Sequence, residues 1–578
     1  MTFPRSGSLA SRVRTEAIAA ARAADQQSGW RGGGGLRPSA QVVNWAWARG
    51  CLLLTALLHT IAFPPYNTPE AAFVFAVPVV LYALRRPRWV EFVMVTYVAF
   101  VLSWLVLLEW LRHVTIGGTI ALAMVMALFP TAWCAAVRWT MPRAPWSDLL
   151  ARLAAVAGLA GLWVLQEWVR SWFLTGFPWL TLATSMWQRP VMLQAASIGG
   201  AWLVGFTLVF FNLALASYAQ RLWLWVTERR GRFSPEFYLA VLVLFGSSFG
   251  VAVAERGERE TEPWFRAGFM QPYIPQKEKW DPAEAPKITG IIERETRNLA
   301  TKNPDLILWP EAVTPIPMLW DPGMQQWVER LARETQVPIL AGALAFEAEP
   351  NTNPQEPEGR WSNGVFLVDP ETGLRPEFYR KRHRVPFGEY VPLRRVLPFI
   401  QKFVPIGGDI EAGRDPAPLL VNTAAGAMRV GPLVCYEDVF PGMARDSVRA
   451  GADVLFVATN DAWYGETGAA TQHAAHAVVR AVETRRPVLR DGNGGWSGWI
   501  DEYGVIQFEA KDARGRVYFR GNQVADIKRD VRWIGRESFY VQHGDWFVAL
   551  SAALVAGALF LLRSARFRFS RAAVDNPS

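Results

Sequence analysis

Apolar residues come in long blocks through the first half of the chain. Seven blocks precede residue 256, at roughly 43–63, 70–84, 90–111, 116–137, 153–169, 196–218 and 237–254, and an eighth covers 545–562. A nearly uncharged stretch of about twenty residues spans the hydrocarbon layer as a helix, so these blocks predict about eight spans, of which the first two are the weakest candidates for a full span. From about 260 to 535 the pattern changes to short strand-like runs, AGFMQP (267–272), LILWPE (306–311), VPILAGAL (337–344), NGVFLVDP (363–370), RVGPLVCYE (429–437), DVLFVATN (453–460) and RPVLRDGN (486–493). Helical stretches such as ITGIIERETRNLATK and PGMARDSVRAGA separate them, which predicts an α/β body with a core of its own. Residues 1 to about 40 are rich in Arg, Ala, Ser and Gly, include GGGG at 32–35, and have no signal-peptide core, so a disordered tail is expected. The chain thus divides into a tail (1–42), a membrane domain of seven spans (43–256), an extramembrane α/β domain (257–540), and an eighth span with a second tail (541–578).

Composition supports the membrane reading. Of 578 residues 51% are hydrophobic, and 28 are tryptophans, whose rings favour the boundary between bilayer and water. The formal charge of +9 does not indicate a nucleic-acid partner, because the basic residues flank apolar blocks and do not gather on one soluble segment among aromatics. Arg85, Arg86 and Arg88 follow the second block, Arg138, Arg143 and Arg152 the fourth, and Arg221, Arg229, Arg230 and Arg232 the sixth, whereas the linker after the third holds only Arg112. Both tails are also Arg-rich. The positive-inside rule puts those linkers and the tails in the cytoplasm and the α/β domain on the opposite face. Cys51 and Cys134 fall inside apolar blocks, so no disulfide framework is expected, and Cys435 is left alone in the α/β domain.

Three residues of that domain suggest chemistry. Glu311 follows the strand LILWP, where α/β folds place site residues, although a solvated acid or a helix cap is the ordinary reading of such a position. Lys381 stands among Arg380, Arg382 and Arg384 in a chain with eight lysines and fifty-two arginines, and an ammonium exchanges a proton where a guanidinium does not. A basic face toward anionic headgroups fits the same cluster. Cys435 closes an apolar run, where a packed cysteine is the default. A nucleophilic thiol would need a base and a cation, which Glu311 and Lys381 supply if the strand ends converge.

The succession WPEA (309–312), YRKRHRVPFGEYVPL (379–393), GPLVCYED (431–438) and TNDAWYG (459–465) resembles the nitrilase-type carbon-nitrogen hydrolase domain with its Glu, Lys, Cys triad. With spans on both sides, and with QPYIPQKEKWDP (271–282) and EWVRSWFLTGFPWLTLA (167–183), the chain looks like a membrane-embedded member of that superfamily, the apolipoprotein N-acyltransferases. The resemblance implies a nitrilase-like α-β-β-α sandwich beside a multi-pass helical domain. It implies Glu311 as general base, Lys381 as the oxyanion's cation and Cys435 as nucleophile, with Glu389, Tyr436 and Glu437 in support. Phe177, Pro178 and Trp179 match a loop near the lipid entry, and Asn460, Asp461 and Trp463 a motif lining the pocket. The implied reaction is ping-pong: an acyl chain moves from a phospholipid, sn-1 of phosphatidylethanolamine, through a cysteine thioester to the N-terminal amine of a diacylglyceryl-cysteine apolipoprotein. The implied setting is a bacterial inner membrane with the catalytic domain on the periplasmic face.

No cofactor, metal or nucleic acid is expected: the six histidines are scattered, and His383 and His473 read as ordinary polar residues near the pocket. Arg380, Arg384 and RDGNGGWSG (490–498) depart from the family pattern without touching the triad, which leaves the preferred substrate surface open. Two alternatives stand beside this reading. One is a membrane-tethered amidase or nitrilase acting on a small C–N substrate, and the other is a scaffold in which Cys435 merely packs.

Overall fold

The computed structural model describes residues 40–144, 148–228, 233–256, 259–349, 358–392 and 409–574, and the tail expected at 1–39 lies outside them. The first two apolar blocks form α1 (Ala40–Ile61) and α2 (Val77–Leu84), whose apolar portions, Arg49–Ile61 and Pro69–Leu84, are the short ones. The next blocks form α3 (Trp89–Leu107), α4 (Ile116–Thr140), α5 (Leu149–Arg170), α6 (Ala196–Glu228) and α7 (Pro235–Phe245), the last continuing through a π turn to Arg256. With the helix that starts at Trp546, six helices among the described residues are long and apolar enough to cross a bilayer, and the two shorter ones bring the apolar helices to the expected eight.

Burial shows why these segments suit lipid. On α3, Val90, Met94, Val98, Leu102 and Val106 recur every fourth residue and are all exposed, while Phe92, Thr96, Ala99, Phe100, Ser103 and Trp104 face inward. A helix with apolar residues on its outward face as well is stable only in an apolar medium. Gly200 interrupts α6 with φ +68° and ψ −173°, a conformation open to glycine, and a Cβ there would meet the Tyr540 ring at 2.7 Å. Ala201, the first residue beyond the break, donates its N–H to Glu483 Oε1 at 2.7 Å.

The α/β body is built of two sheets. In chain order its main strands are β1 (Thr261–Gln271), β2 (Leu306–Trp309), β3 (Ile339–Ala348) and β4 (Gly359–Asp369), the short β5 (Gly373–Leu374), β6 (Tyr379–Arg380) and β7 (Ile410–Glu411), then β8 (Leu419–Thr423), β9 (Gly426–Val434), β10 (Val454–Thr459), β11 (Val488–Gly492), β12 (Gly498–Ile500), β13 (Ile506–Glu509) and β14 (Gly521–Asp530). One sheet runs β14-β1-β2-β3-β4-β5, with β6 and β7 also paired to β4, and the other runs β13-β12-β11-β10-β9-β8. All seven strand-like runs read from the sequence lie in these strands. Alternation divides their side chains between two cores. Leu306, Leu308, Leu340, Val365 and Leu367 face Val430, Val454, Phe456 and Leu489 of the other sheet. Ile307, Trp309, Ile339, Ala341 and Phe366 face α8 (Ala285–Ala300) and α9 (Pro322–Thr335) through Ile288, Ile292, Trp327 and Leu331. On the far side α10 (Pro441–Arg449) packs on β9 and α11 (Ala469–Thr484) on β11, which completes an α-β-β-α sandwich. Every residue of α11 except Thr471 is buried, because its other side meets α6 and the turn at Leu182–Met186. The chain then returns to the helical domain as α12 (Trp546–Val574), which packs along α5.

Candidate active site

Cys435 is the first residue beyond β9 and opens a 3-10 turn, Cys435–Val439. Its φ of +51° lies in the left-handed region, which costs a non-glycine residue about 1–2 kcal/mol. Hydrogen bonding of Glu437 offsets that strain. The fully buried Glu437 carboxylate accepts from Val434 N at 2.7 Å, Tyr379 OH at 2.8 Å, Arg382 N at 2.5 Å and His383 N at 2.9 Å. One carboxylate therefore ties the turn that carries the cysteine to the segment that carries Lys381. Burial pushes this carboxyl upward, and those N–H and O–H donors work against the rise.

Lys381 follows β6, and its own N–H continues the pairing with β4 by donating to Asn363 O at 2.8 Å. Its Nζ is 2.8 Å from Glu389 Oε1 and 3.5 Å from Glu311 Oε1. Burial alone would lower this ammonium, but Glu389 and then Glu311 prevail and hold it above the ordinary lysine range. Glu311 sits beyond the end of β2, and Ala312 beside it has φ +47°. Asn363 joins the two acids by donating Nδ2 to Glu311 Oε1 at 2.8 Å and to Glu389 Oε1 at 3.3 Å, while Val385 N donates to Glu389 Oε2 at 2.8 Å. Burial and then Glu311 raise the Cys435 thiol well above its ordinary range, partly countered by Lys381. The resting group is a neutral thiol next to a carboxylate able to take its proton and an ammonium able to hold negative charge on an attacked carbonyl.

Six of the residues singled out in the sequence, Glu311, Lys381, Glu389, Cys435, Tyr436 and Glu437, form this cluster. The loop after α5 adjoins it: Tyr436 OH donates to Gly176 O at 3.1 Å, and Phe177 stacks between Tyr436 and Trp179 at 6.2 and 6.1 Å. Pro178 is buried beside them. Asn460 has a scaffold position, donating to Gln276 Oε1 and accepting from Asn493 Nδ2, each at 2.9 Å, and Trp463 is 45% exposed.

Five residues were given no part in the site by the sequence reading. Asn363 is the bridge described above. Lys279 is buried, donates to Glu311 O at 3.1 Å, and burial draws its ammonium down to about 8 against the pull of Glu311 and Cys435. His473 lies closer to the nucleophile than an ordinary polar residue: its Nε2 is 3.1 Å from Cys435 O and 2.8 Å from Asp438 Oδ1, and its Nδ1 is 3.2 Å from Asp461 Oδ1. Arg490 bridges the same two aspartates at 3.0 and 3.2 Å. Gln472 carries four hydrogen bonds into the helical domain, described below. Lys279 stood within QPYIPQKEKWDP, Arg490 opened RDGNGGWSG and His473 was read as an ordinary polar residue near the pocket, whereas nothing in the sequence marked Asn363 or Gln472 for the site.

Comparison with known proteins gives two family models. Residues 55–214 match the apolipoprotein N-acyltransferase N-terminal domain and residues 273–526 match carbon-nitrogen hydrolase. A protein of Gloeobacter violaceus named apolipoprotein N-acyltransferase is 31% identical over 88% of this chain and 93% of its own length. One of the same name from Geobacter metallireducens is 29% identical over 89% and 95%. Among solved structures, a mutant of Nesterenkonia AN1 amidase from the nitrilase superfamily is 18% identical, with TM-score 0.34, over 48% of this chain and 94% of that one.

Proposed function

Because this chain belongs to the apolipoprotein N-acyltransferase family, we propose that it moves a fatty acyl chain from a phospholipid through a Cys435 thioester to the N-terminal amine of a diacylated apolipoprotein. The observation that carries the proposal is the meeting of Glu311, Lys381 and Cys435 beside a loop of the helical domain. Glu311 takes the thiol proton as Sγ attacks the ester carbonyl of the donor, proposed as sn-1 of phosphatidylethanolamine. Lys381 holds the oxyanion, an effect of about 3 kcal/mol in a preorganised site. As the tetrahedral species collapses, the C–O bond breaks, Glu311 returns the proton to the departing oxygen, and a lysophospholipid leaves. The acceptor's free amine then attacks the thioester, Glu311 receives its proton, and the C–S bond breaks to restore the thiol.

Glu389 keeps Lys381 directed at the reacting carbonyl, and Glu437 and Tyr436 keep the nucleophile's turn and the Phe177–Trp179 loop in place. Asn460 acts as scaffold behind the pocket, and Trp463 meets substrate at its rim. Burial serves this chemistry, since a thioester open to water would hydrolyse. We assign residues 43–256 to the membrane domain and 257–540 to the catalytic domain, and place the protein in an inner membrane with the catalytic domain on the periplasmic face. The Arg-rich linkers support that orientation.

Intact-protein mass spectrometry after incubation with phosphatidylethanolamine vesicles tests the reaction. A fatty-acyl gain is expected in the wild type, absent in Cys435→Ser and discharged by a diacylglyceryl-cysteine peptide. No gain, or turnover of small amides without lipid, would replace this reading with the amidase one.

A further inference from the structure

Gln472, near the start of α11, uses its whole amide on the helical domain. Its Oε1 accepts from Trp110 Nε1 at 2.9 Å and from Trp179 Nε1 at 2.8 Å. Its Nε2 donates to Pro64 O and to Leu107 O, each at 3.0 Å. Three chain segments remote from it in sequence, at Pro64, Leu107–Trp110 and Trp179, thus meet at one side chain that is 1% exposed. A buried indole N–H needs an acceptor, and one oxygen serves both rings, so their rotation is set by this amide.

Those two rings pack on each other and on neighbours of the Cys435 turn. Their centroids are 5.1 Å apart. Trp110 also packs on Tyr464 at 4.6 Å, and Trp179 on His473 at 5.4 Å and His476 at 5.5 Å. His473 in turn contacts the carbonyl of Cys435. Burial raises the Tyr464 hydroxyl well above its ordinary range. Gln472 is thus linked to the backbone of Cys435 through Trp179 and His473, although Gln472 itself touches no reacting atom.

We propose that Gln472 is a positioning residue, whose amide fixes Trp110 and Trp179 as a single wall beside Cys435 and so determines how an acyl ester is seated at the thiol. The inference rests on the acylation reading given above. It differs from a general packing role in one respect: its effect passes through the indole N–H groups, so removing those groups reproduces it.

The test uses the full-length protein with Cys51 and Cys134 replaced by alanine. Single-turnover acylation of Cys435 by phosphatidylethanolamine vesicles is followed by mass in the parent, Gln472→Met, Trp179→Phe and the double variant. Gln472→Met is expected to slow acylation about tenfold, the value of one to two such hydrogen bonds, in protein that still melts cooperatively. The double variant is expected to be no slower than Gln472→Met, because both changes break the same link. Parent-like acylation in Gln472→Met, or losses that multiply in the double variant, would overturn the proposal. Should Gln472→Met fail to fold, Trp110→Phe and Trp179→Phe, which remove each indole N–H and leave an aromatic ring in its place, decide it: slowed acylation supports it and parent-like rates in both refute it. Alkylation of Cys435 by N-ethylmaleimide gives a readout independent of lipid. A loosened wall makes it several-fold faster in Gln472→Met, so a parent that forms no acyl adduct counts against the reaction while the alkylation comparison still decides the inference.

Discussion

At the scale of single residues the site works by opposed charges in a dry setting. Burial and the nearby Glu311 both oppose ionisation of Cys435, and Lys381 only partly compensates. The sign of the pH dependence follows: the thiolate fraction at pH 8 is below that of a free thiol, and it still climbs above pH 9. Iodoacetamide alkylation of Cys435, with the other two cysteines replaced, is expected to rise through pH 9 without levelling near neutrality. Glu311→Gln, which removes the opposing negative charge, is expected to bring the rise to lower pH. A plateau near pH 7 in the parent would mean a resting thiolate and a different division of labour. Glu311, Lys381 and Cys435 were singled out because their motifs, taken in order, resemble those of the nitrilase-type domain, whereas each residue alone had an ordinary reading. Asn363 and Gln472 were not, because an amide gains its role only from partners, and those of Gln472 lie 293 to 408 residues away in sequence.

Elements were legible where period and length agreed. Seven strands emerged as apolar runs because each is buried on both faces between a second sheet and a helix layer. The two-residue strands β5, β6 and β7 carry no periodicity, and the pairing of β6 with β4 that presents Lys381 is a tertiary event. Helix α11 was obscured because nearly all its residues are buried, polar ones included: Gln472, His476, Arg480 and Glu483 form one face directed at the helical domain. The contact of α5 with α12 depends on small residues. A Cβ on Gly161 would lie 2.8 Å from Ser551 O, and one on Gly158 would lie 2.5 Å from the Ala558 Cβ. Gly161→Ala is accordingly expected to cost about 1–3 kcal/mol, read as a lower melting temperature in detergent. Gly557→Ala, where a Cβ meets nothing within 4 Å, is expected to be neutral or slightly stabilising. Equal effects of the two changes would refute the close-packing account.

For the whole molecule, block lengths gave the apolar helices, and the shortness of the first two apolar helical stretches was visible as weaker apolar blocks, while arginine placement carries the proposed orientation. Orientation has a direct check. In intact spheroplasts of a cysteine-substituted background, a membrane-impermeant maleimide is expected to label Trp463→Cys from outside, and Arg86→Cys only after permeabilisation; the reverse pattern would invert the proposed topology. The sequence discloses that the α/β body lies between the seventh and eighth apolar blocks, but not that the closing helix α12 lies against α5. That order bears on biogenesis. A ribosome releases the body's strands before it finishes Trp546–Val574, and until then Gly158 and Gly161 of α5 lack the helix they pack against. The nascent chain is thus fastened at one end while the body folds, and the closing helix is the latch that turns a tethered domain into a unified machine.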